Sequence, residues 1–193
     1  MKPQTASGLF QKILIANRGE IACRIIRTCQ SLGISTVAVY SEADQDALHV
    51  RLADDAFHIG KVTPEDSYLN HERILETAIQ CQADAIHPGY GFLAENDVFA
   101  EACLSKGIHF IGPRPESIRE MGSKSRAKQL MQEAGVPVVP GYHGDKQDFK
   151  ILRNEAEKIG FPLLIKPVAG GGGRGMRVVR QLNELEEALT LSR

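Results

Sequence analysis

The apolar run Leu163-Leu164-Ile165 ends on Lys166, and five of the six residues from 170 to 175 are glycine, the sixth being Arg174. Ordering consecutive glycines costs conformational entropy and returns no packing. Such a run belongs where backbone N–H groups must closely approach a ligand. Cations beside and within it make a polyphosphate the ligand to expect. Two familiar phosphate loops do not fit. A Walker loop ends in Gly-Lys followed by Ser or Thr and opens a helix, whereas Gly175 is followed by Met176. A dinucleotide fingerprint places three glycines after the first strand. Here that position reads Asn17-Arg18-Gly19-Glu20, which argues against an NAD oxidoreductase. Arg177-Val178-Val179 is a β-branched run and no helix start. Residues 163–166 and 176–179 therefore read as antiparallel strands joined by a glycine-rich flap.

The elements that must position this flap follow from periodicity. Residues 12–16 form an apolar strand, and a helix over 19–32 carries Ile21, Ile25, Cys29 and Leu32 on one stripe, with Gly33 as its stop. Strands are expected at 36–40, 56–59, 83–87 and 109–111, with a turn at 41–44. Helices are expected at 47–53, 71–80 and 98–106. This alternation with short connections predicts an α/β fold, a Rossmann-like parallel sheet covered by helices. From about residue 112 the rhythm changes. Helical stretches at 115–121 and 123–134 lead through a Gly/Pro connector to a helix at 146–159, then the flap, then a helical stripe over 182–193.

Composition narrows the class. The 193 residues hold 23 basic and 24 acidic side chains, a net charge of −1, which gives no electrostatic case for nucleic acid. Cys23, Cys29, Cys81 and Cys103 have no CxxC spacing and read as reduced, packed thiols of a cytoplasmic protein. Residues 1–11 have neither a secretory apolar core nor the arginines of a transit peptide. No apolar run approaches the roughly 20 residues that span a bilayer, so no membrane is expected.

Five segments taken together carry a resemblance. They are Ile15-Ala16-Asn17-Arg18-Gly19-Glu20-Ile21-Ala22, His87-Pro88-Gly89-Tyr90-Gly91-Phe92-Leu93-Ala94-Glu95-Asn96, Phe110-Ile111-Gly112-Pro113, Met121-Gly122-Ser123-Lys124, and Lys166 through Met176. In this order they resemble a biotin carboxylase, the ATP-grasp component of biotin-dependent carboxylases. Residues 38–44 and 138–144 are similar to acyl-CoA carboxylase α-subunits, the 3-methylcrotonyl-CoA type above all. The resemblance implies a Rossmann-like N-terminal domain at 10–122 and the incomplete start of an ATP-grasp domain at 123–193. It implies MgATP-driven activation of bicarbonate as carboxyphosphate and transfer of the carboxyl group to N1 of biotin on a carrier domain.

By resemblance Lys124 and Lys166 reach the ATP phosphates, Gly171, Gly172 and Gly173 close over them, and Met176 lies near the nucleotide. Tyr90 faces the biotin pocket and Glu95 lies near the same cleft, while His87 reads as a structural strand-end residue. ATP, Mg²⁺ and biotin are the implied cofactors. A biotin carboxyl carrier domain and a carboxyltransferase component are the implied partners, with a homodimer formed through the helix at 19–32, where Arg24 and Arg27 share a face. Pro167 and Ala169 depart from the family pattern, since proline fixes φ and stiffens the lysine side of the flap. Other ATP-grasp enzymes share the architecture, and a non-catalytic nucleotide-binding or dimerisation fragment is the alternative from another class. No carboxylate pair suited to Mg²⁺ is evident in the 193 residues, and Glu184, Glu186 and Glu187 read as a solvated face. The polypeptide as given is therefore expected not to turn over. A bicarbonate-dependent ATPase rate no higher than background is the expected outcome, and a clear rate above it would refute this expectation.

Overall fold

The computed structural model describes residues 10–167 and 175–192. The chain divides into two compact units after Arg119, each treated separately below. The first unit holds strands β1 (Lys12–Ile15), β2 (Ser35–Ser41), β3 (Asp55–Gly60), β4 (Ala85–His87) and β5 (His109–Phe110). Its helices are α1 (Gly19–Ser31), α2 (Leu48–Leu52), α3 (His71–Gln80) and α4 (Asp97–Ser105). The five strands form one parallel sheet in the order β3-β2-β1-β4-β5.

Both faces of β1 are apolar and buried, as a central parallel strand requires. Ile13 and Ile15 point to one side, where α1 brings Ile21, Ile25, Ile26 and Cys29. Leu14 and Ala16 point to the other, where α3 and α4 supply Ile74, Ala78, Phe99 and Cys103. The connections are short because the helices end in the same way. Past the ends of α1, α3 and α4, the N–H groups of Ile34, Ala83 and Ile108 return to the carbonyls of Cys29, Ala78 and Cys103 at 2.9, 2.9 and 3.0 Å. This explains one shift from expectation. Ala83 closes α3, so β4 begins at Ala85, and the Asp84 carboxylate instead accepts from the N–H groups of Gln11 and Lys12 at 2.7 and 2.9 Å. Residues 42–44, read as a turn, form one 3-10 turn. All four cysteines are free and buried. Burial raises the pKa of the Cys29, Cys81 and Cys103 thiols, that of Cys103 to about 12.

Helix α5 (Pro115–Gly122) spans the division. The second unit contains α6 (Lys124–Glu133), α7 (Phe149–Ile159), the antiparallel hairpin β6 (Leu163–Ile165) and β7 (Arg177–Val179), and α8 (Leu185–Thr190). Its core is small, with Ala156, Val179, Leu185 and Ala188 buried and Leu163 and Ile165 packed on them. No helix among the described residues is long and apolar enough to cross a membrane.

One buried group should make the first unit sensitive to mild acid. His49 is fully buried, its Nε2 lies 3.2 Å from the Val39 carbonyl, and its Nδ1 has no partner. The carbonyl can only accept, so Nε2 carries a proton, and a second proton on the unpartnered, buried Nδ1 would be unsatisfied, which favours the neutral ring. Burial pushes the His49 pKa below its ordinary 6.5, and burial does the same to His87. A depressed folded-state pKa means stability is complete above the unfolded value and is lost as pH falls through the folded one. The thermal midpoint should therefore drop between about pH 7.5 and about pH 5.5. His49→Gln keeps an N–H donor and cannot protonate, so its drop should be shallower. An undiminished drop would remove His49 as a cause.

Candidate functional site

In the first unit the chain crosses from one side of the sheet to the other between β1 and β4. Open α/β sheets bind ligands beyond the carboxyl ends of the strands at such a switch point. Ile15 pairs with His87, and the Ala16 N–H extends the ladder to the His87 carbonyl at 2.9 Å. The strands thus deliver Asn17-Arg18 and Pro88-Gly89-Tyr90 side by side. Asn17 is 3 % exposed, and its Nδ2 donates to the carbonyls of Pro88 and Tyr90 at 2.7 and 2.8 Å. Its Oδ1 accepts from the Arg18 N–H at 2.8 Å. Gly89 and Gly91 both have φ of +67°, and a Cβ on Gly89 would lie 2.8 Å from Asn17 Nδ2. Between them Tyr90 stands 61 % exposed, its hydroxyl 3.3 Å from a Glu20 carboxylate oxygen.

His87 serves this loop as a backbone partner. Its Nδ1 accepts from the Gly89 N–H at 3.0 Å, and burial holds the ring neutral by lowering its pKa. Asn96 caps α4 by accepting from the Phe99 N–H at 2.8 Å, while Glu95 is exposed. Phe92, with φ of +37°, stacks on Tyr68 at 5.1 Å between ring centroids.

Tyr68 belongs to a polar cluster that sequence reasoning missed. The Tyr68 hydroxyl donates to Asp44 at 2.7 Å, Ser41 Oγ donates to the same oxygen at 3.2 Å, and the Arg18 guanidinium pairs with the other oxygen. Arg18 also lies over the Tyr68 ring at 5.8 Å. Burial alone would raise the Asp44 pKa, but the hydrogen bonds from Arg18 and Tyr68 outweigh it and hold the carboxyl below its ordinary 3.8. Burial, then the Asp44 carboxylate, push the Tyr68 phenol up to about 12. These partners lie 24 and 26 residues from Asp44, so no local pattern announces them.

In the second unit the hairpin register sorts the candidate residues. Leu163 pairs with Val179, Leu164 with Val178 and Ile165 with Arg177. By the two-residue period of a strand, Leu163, Ile165 and Val179 face the core, and Leu164, Lys166, Met176 and Val178 share the opposite face. Leu164, Val178 and Met176 are 45, 53 and 41 % exposed, and Lys166 is exposed. Continued one step beyond Ile165 and Arg177, this register sets Lys166 opposite Met176, with Leu164 and Val178 as an apolar floor that the sequence reading did not single out. Lys124 is the first residue of α6, whose Ser123 cap accepts from the Arg126 N–H at 3.4 Å. Gly171, Gly172 and Gly173 lie outside the described residues. Lys128 joins the cationic set, and His143 lies beside it. Nε2 of His143 and Nζ of Lys128 lie 3.1 and 3.9 Å from the position a Gly141 Cβ would take. Burial, then Lys128 and Lys166, depress the His143 pKa below 6.5.

The first unit thus ends its parallel sheet in an ordered switch-point loop, and the second carries a hairpin face on which Leu164, Met176, Val178 and Lys166 are exposed. Residues 9–118 match the family model "Biotin carboxylase, N-terminal domain". Residues 123–193 match "Carbamoyl-phosphate synthase L chain, ATP binding domain". The chain belongs to the biotin carboxylase family. It is 55 % identical to the mitochondrial methylcrotonoyl-CoA carboxylase subunit alpha of Oryza sativa subsp. japonica, over 93 % of this chain and 24 % of that protein. It is 57 % identical to a biotin carboxylase of Halalkalibacterium halodurans, over 93 % of this chain and 40 % of that one. Among solved structures it is similar to the biotin carboxylase domain dimer of Hydrogenobacter thermophilus 2-oxoglutarate carboxylase, in complex with MgADP, ADP and bicarbonate. There the identity is 53 % and the TM-score 0.85, with 95 % of this chain and 41 % of that one covered. The chain thus spans between a quarter and two fifths of the length of these proteins.

The Asp44 cluster yields a direct test. Asp44→Asn removes the charge that satisfies Arg18 and leaves three donors with one neutral acceptor between them. The loss should be about 2 kcal/mol, read as a lower urea midpoint at unchanged slope. A loss below roughly 0.5 kcal/mol would rank the cluster with ordinary surface ion pairs.

Proposed function

We propose that this chain takes part in the ATP-dependent carboxylation of biotin by bicarbonate, within a biotin-dependent acyl-CoA carboxylase. The observation that carries the reading is the outer hairpin face, where Leu164, Val178 and Met176 lie exposed beside Lys166. A nucleotide has an apolar ring at one end and about four negative charges at the other. A strand face that is apolar along its length and cationic at its end is complementary to both. In this reading Lys166, and Lys124 at the start of α6, take the phosphates, Gly171, Gly172 and Gly173 close over them, and Met176 lies on the nucleotide side. Preorganised cations aimed at the transferring phosphoryl group lower the barrier to attack by bicarbonate. ADP leaves, and the carboxyphosphate formed carboxylates N1 of biotin with release of phosphate.

Tyr90, exposed at the switch point, is assigned to the biotin side of the reaction, with biotin delivered by a carrier domain. A carboxyltransferase component then takes the carboxyl group to an acyl-CoA, of the methylcrotonyl type by analogy with the rice relative. A homodimer through α1 is part of the reading, supported by the dimeric state of the Hydrogenobacter relative. So are a cytoplasmic location and a division into domains at 10–122 and 123–193. Mg²⁺ would enter with ATP. Among the described residues no three His, Cys, Asp or Glu gather where they could hold a metal ion, and no step is assigned to one through them.

Calorimetry with ADP tests the hairpin. Lys166→Ala and Val178→Asp should each weaken binding at least about tenfold, or about 1.4 kcal/mol, with the far-ultraviolet circular dichroism unchanged. Equal affinities in the variants would overturn the assignment. No binding by the unaltered chain would favour a scaffold or dimerisation role.

A further inference from the structure

We infer that Asn17 is a positioning residue for Tyr90, so that the tight β1–α1 turn sets where the biotin-facing aromatic ring stands. The inference rests on the assignment of Tyr90 to the biotin side, given above. An exposed aromatic ring has no burial to hold it in place, and ordering it costs entropy. Yet the backbone around Tyr90 is held at the Pro88 and Tyr90 carbonyls and at the Gly89 N–H. Asn17 Nδ2 uses both of its protons on the carbonyls that bracket the residue, those of Pro88 and Tyr90 itself. Holding the Pro88–Gly89 and Tyr90–Gly91 peptide planes clamps both ends of the Gly89–Tyr90 segment and so narrows the directions open to the Tyr90 Cα–Cβ bond.

The chemistry of position 17 is restrictive. Two donors on one nitrogen, with an acceptor turned the opposite way to the Arg18 N–H, describe a primary amide. A carboxylate would set lone pairs against two carbonyls, serine has one donor, and glutamine is a methylene too long. Gly89 completes the fit, because any Cβ there would strike the Asn17 amide and Ile21 Cγ1, at 2.8 and 3.2 Å. The hydrogen bonds of the Asn17 amide are not required by the hydrophobic core, which lies under β1 and β4. They converge on a loop whose outward product is one exposed phenol ring, with its hydroxyl tethered to Glu20 at 3.3 Å.

The test is a double-mutant cycle in the holoenzyme, with free biotin as the acceptor and bicarbonate-dependent ATP cleavage as the readout. Asn17→Ser and Asn17→Asp should each raise the KM for biotin roughly tenfold, with the KM for ATP unchanged. Tyr90→Ala should also raise it, and Asn17→Ser combined with Tyr90→Ala should be no worse than Tyr90→Ala alone. In amide spectra of the chain itself, the Gly89, Tyr90 and Gly91 signals of Asn17→Ser should shift and broaden, with those of β2 and β3 in place. An unchanged biotin KM in both Asn17 variants, beside a raised one in Tyr90→Ala, overturns the inference and leaves the biotin assignment standing. So does an Asn17 effect of equal size with and without the tyrosine ring. A Tyr90→Ala variant with normal biotin KM removes the biotin assignment and the positioning role with it. Loss of the fold in both Asn17 variants assigns the residue to general stability and equally overturns it.

Discussion

A single strand, β1, has to satisfy three demands at once. It hydrogen-bonds to β2 on one edge and β4 on the other, buries Ile13 and Ile15 under α1, and buries Leu14 and Ala16 under α3 and α4. Parallel strands leave no face for water, so such a strand must be apolar throughout and must stop abruptly where the ladder ends. Its ladder ends at Ala16, and Asn17, the first polar residue after Lys12, is turned to fasten the neighbouring loop. The place where the sheet runs out of partners is thus also the place where polar side chains can first be presented. Position at the switch point and exposure of Tyr90 are two results of one termination.

The Asp44 cluster reinforces the same corner from the other side. Ser41 ends β2, Asp44 lies three residues on, and Tyr68 reaches both while stacking on Phe92 of the loop after β4. The Arg18 guanidinium joins β1 to that assembly. A carboxylate that collects three donors while mostly withdrawn from water is held by direction as well as by charge. Three strand ends, which need share nothing beyond the sheet, are thereby made into one rigid rim.

Periodicity made most of this architecture readable. The helices expected at 19–32, 71–80 and 98–106 form at Gly19–Ser31, His71–Gln80 and Asp97–Ser105, the first closed by Gly33 and the other two opened by the caps Asn70 and Asn96. The alternation of strand and helix led correctly to a parallel sheet. Boundaries slipped where a side chain or helix end competed for the backbone, as at Ala83, and at the helix expected from 146, which begins at Phe149. The candidate residues divided along similar lines. Lys166 and Met176 were singled out because a glycine run advertises its flanks. Leu164 and Val178 were not, since only the observed register shows that they face outward together. Asn17 was visible as part of a motif, but its task depends on carbonyls 71 and 73 residues away, which no local pattern encodes.

The burial of every cysteine has a practical corollary. With Cys23, Cys29, Cys81 and Cys103 all buried inside the first unit, and burial favouring the protonated form of three of the thiols, the folded chain should react slowly with maleimides and iodoacetamides. A thiol introduced on the outer hairpin face would be the sole reactive group. A fluorophore attached there would report occupancy of that face without removing any natural cysteine.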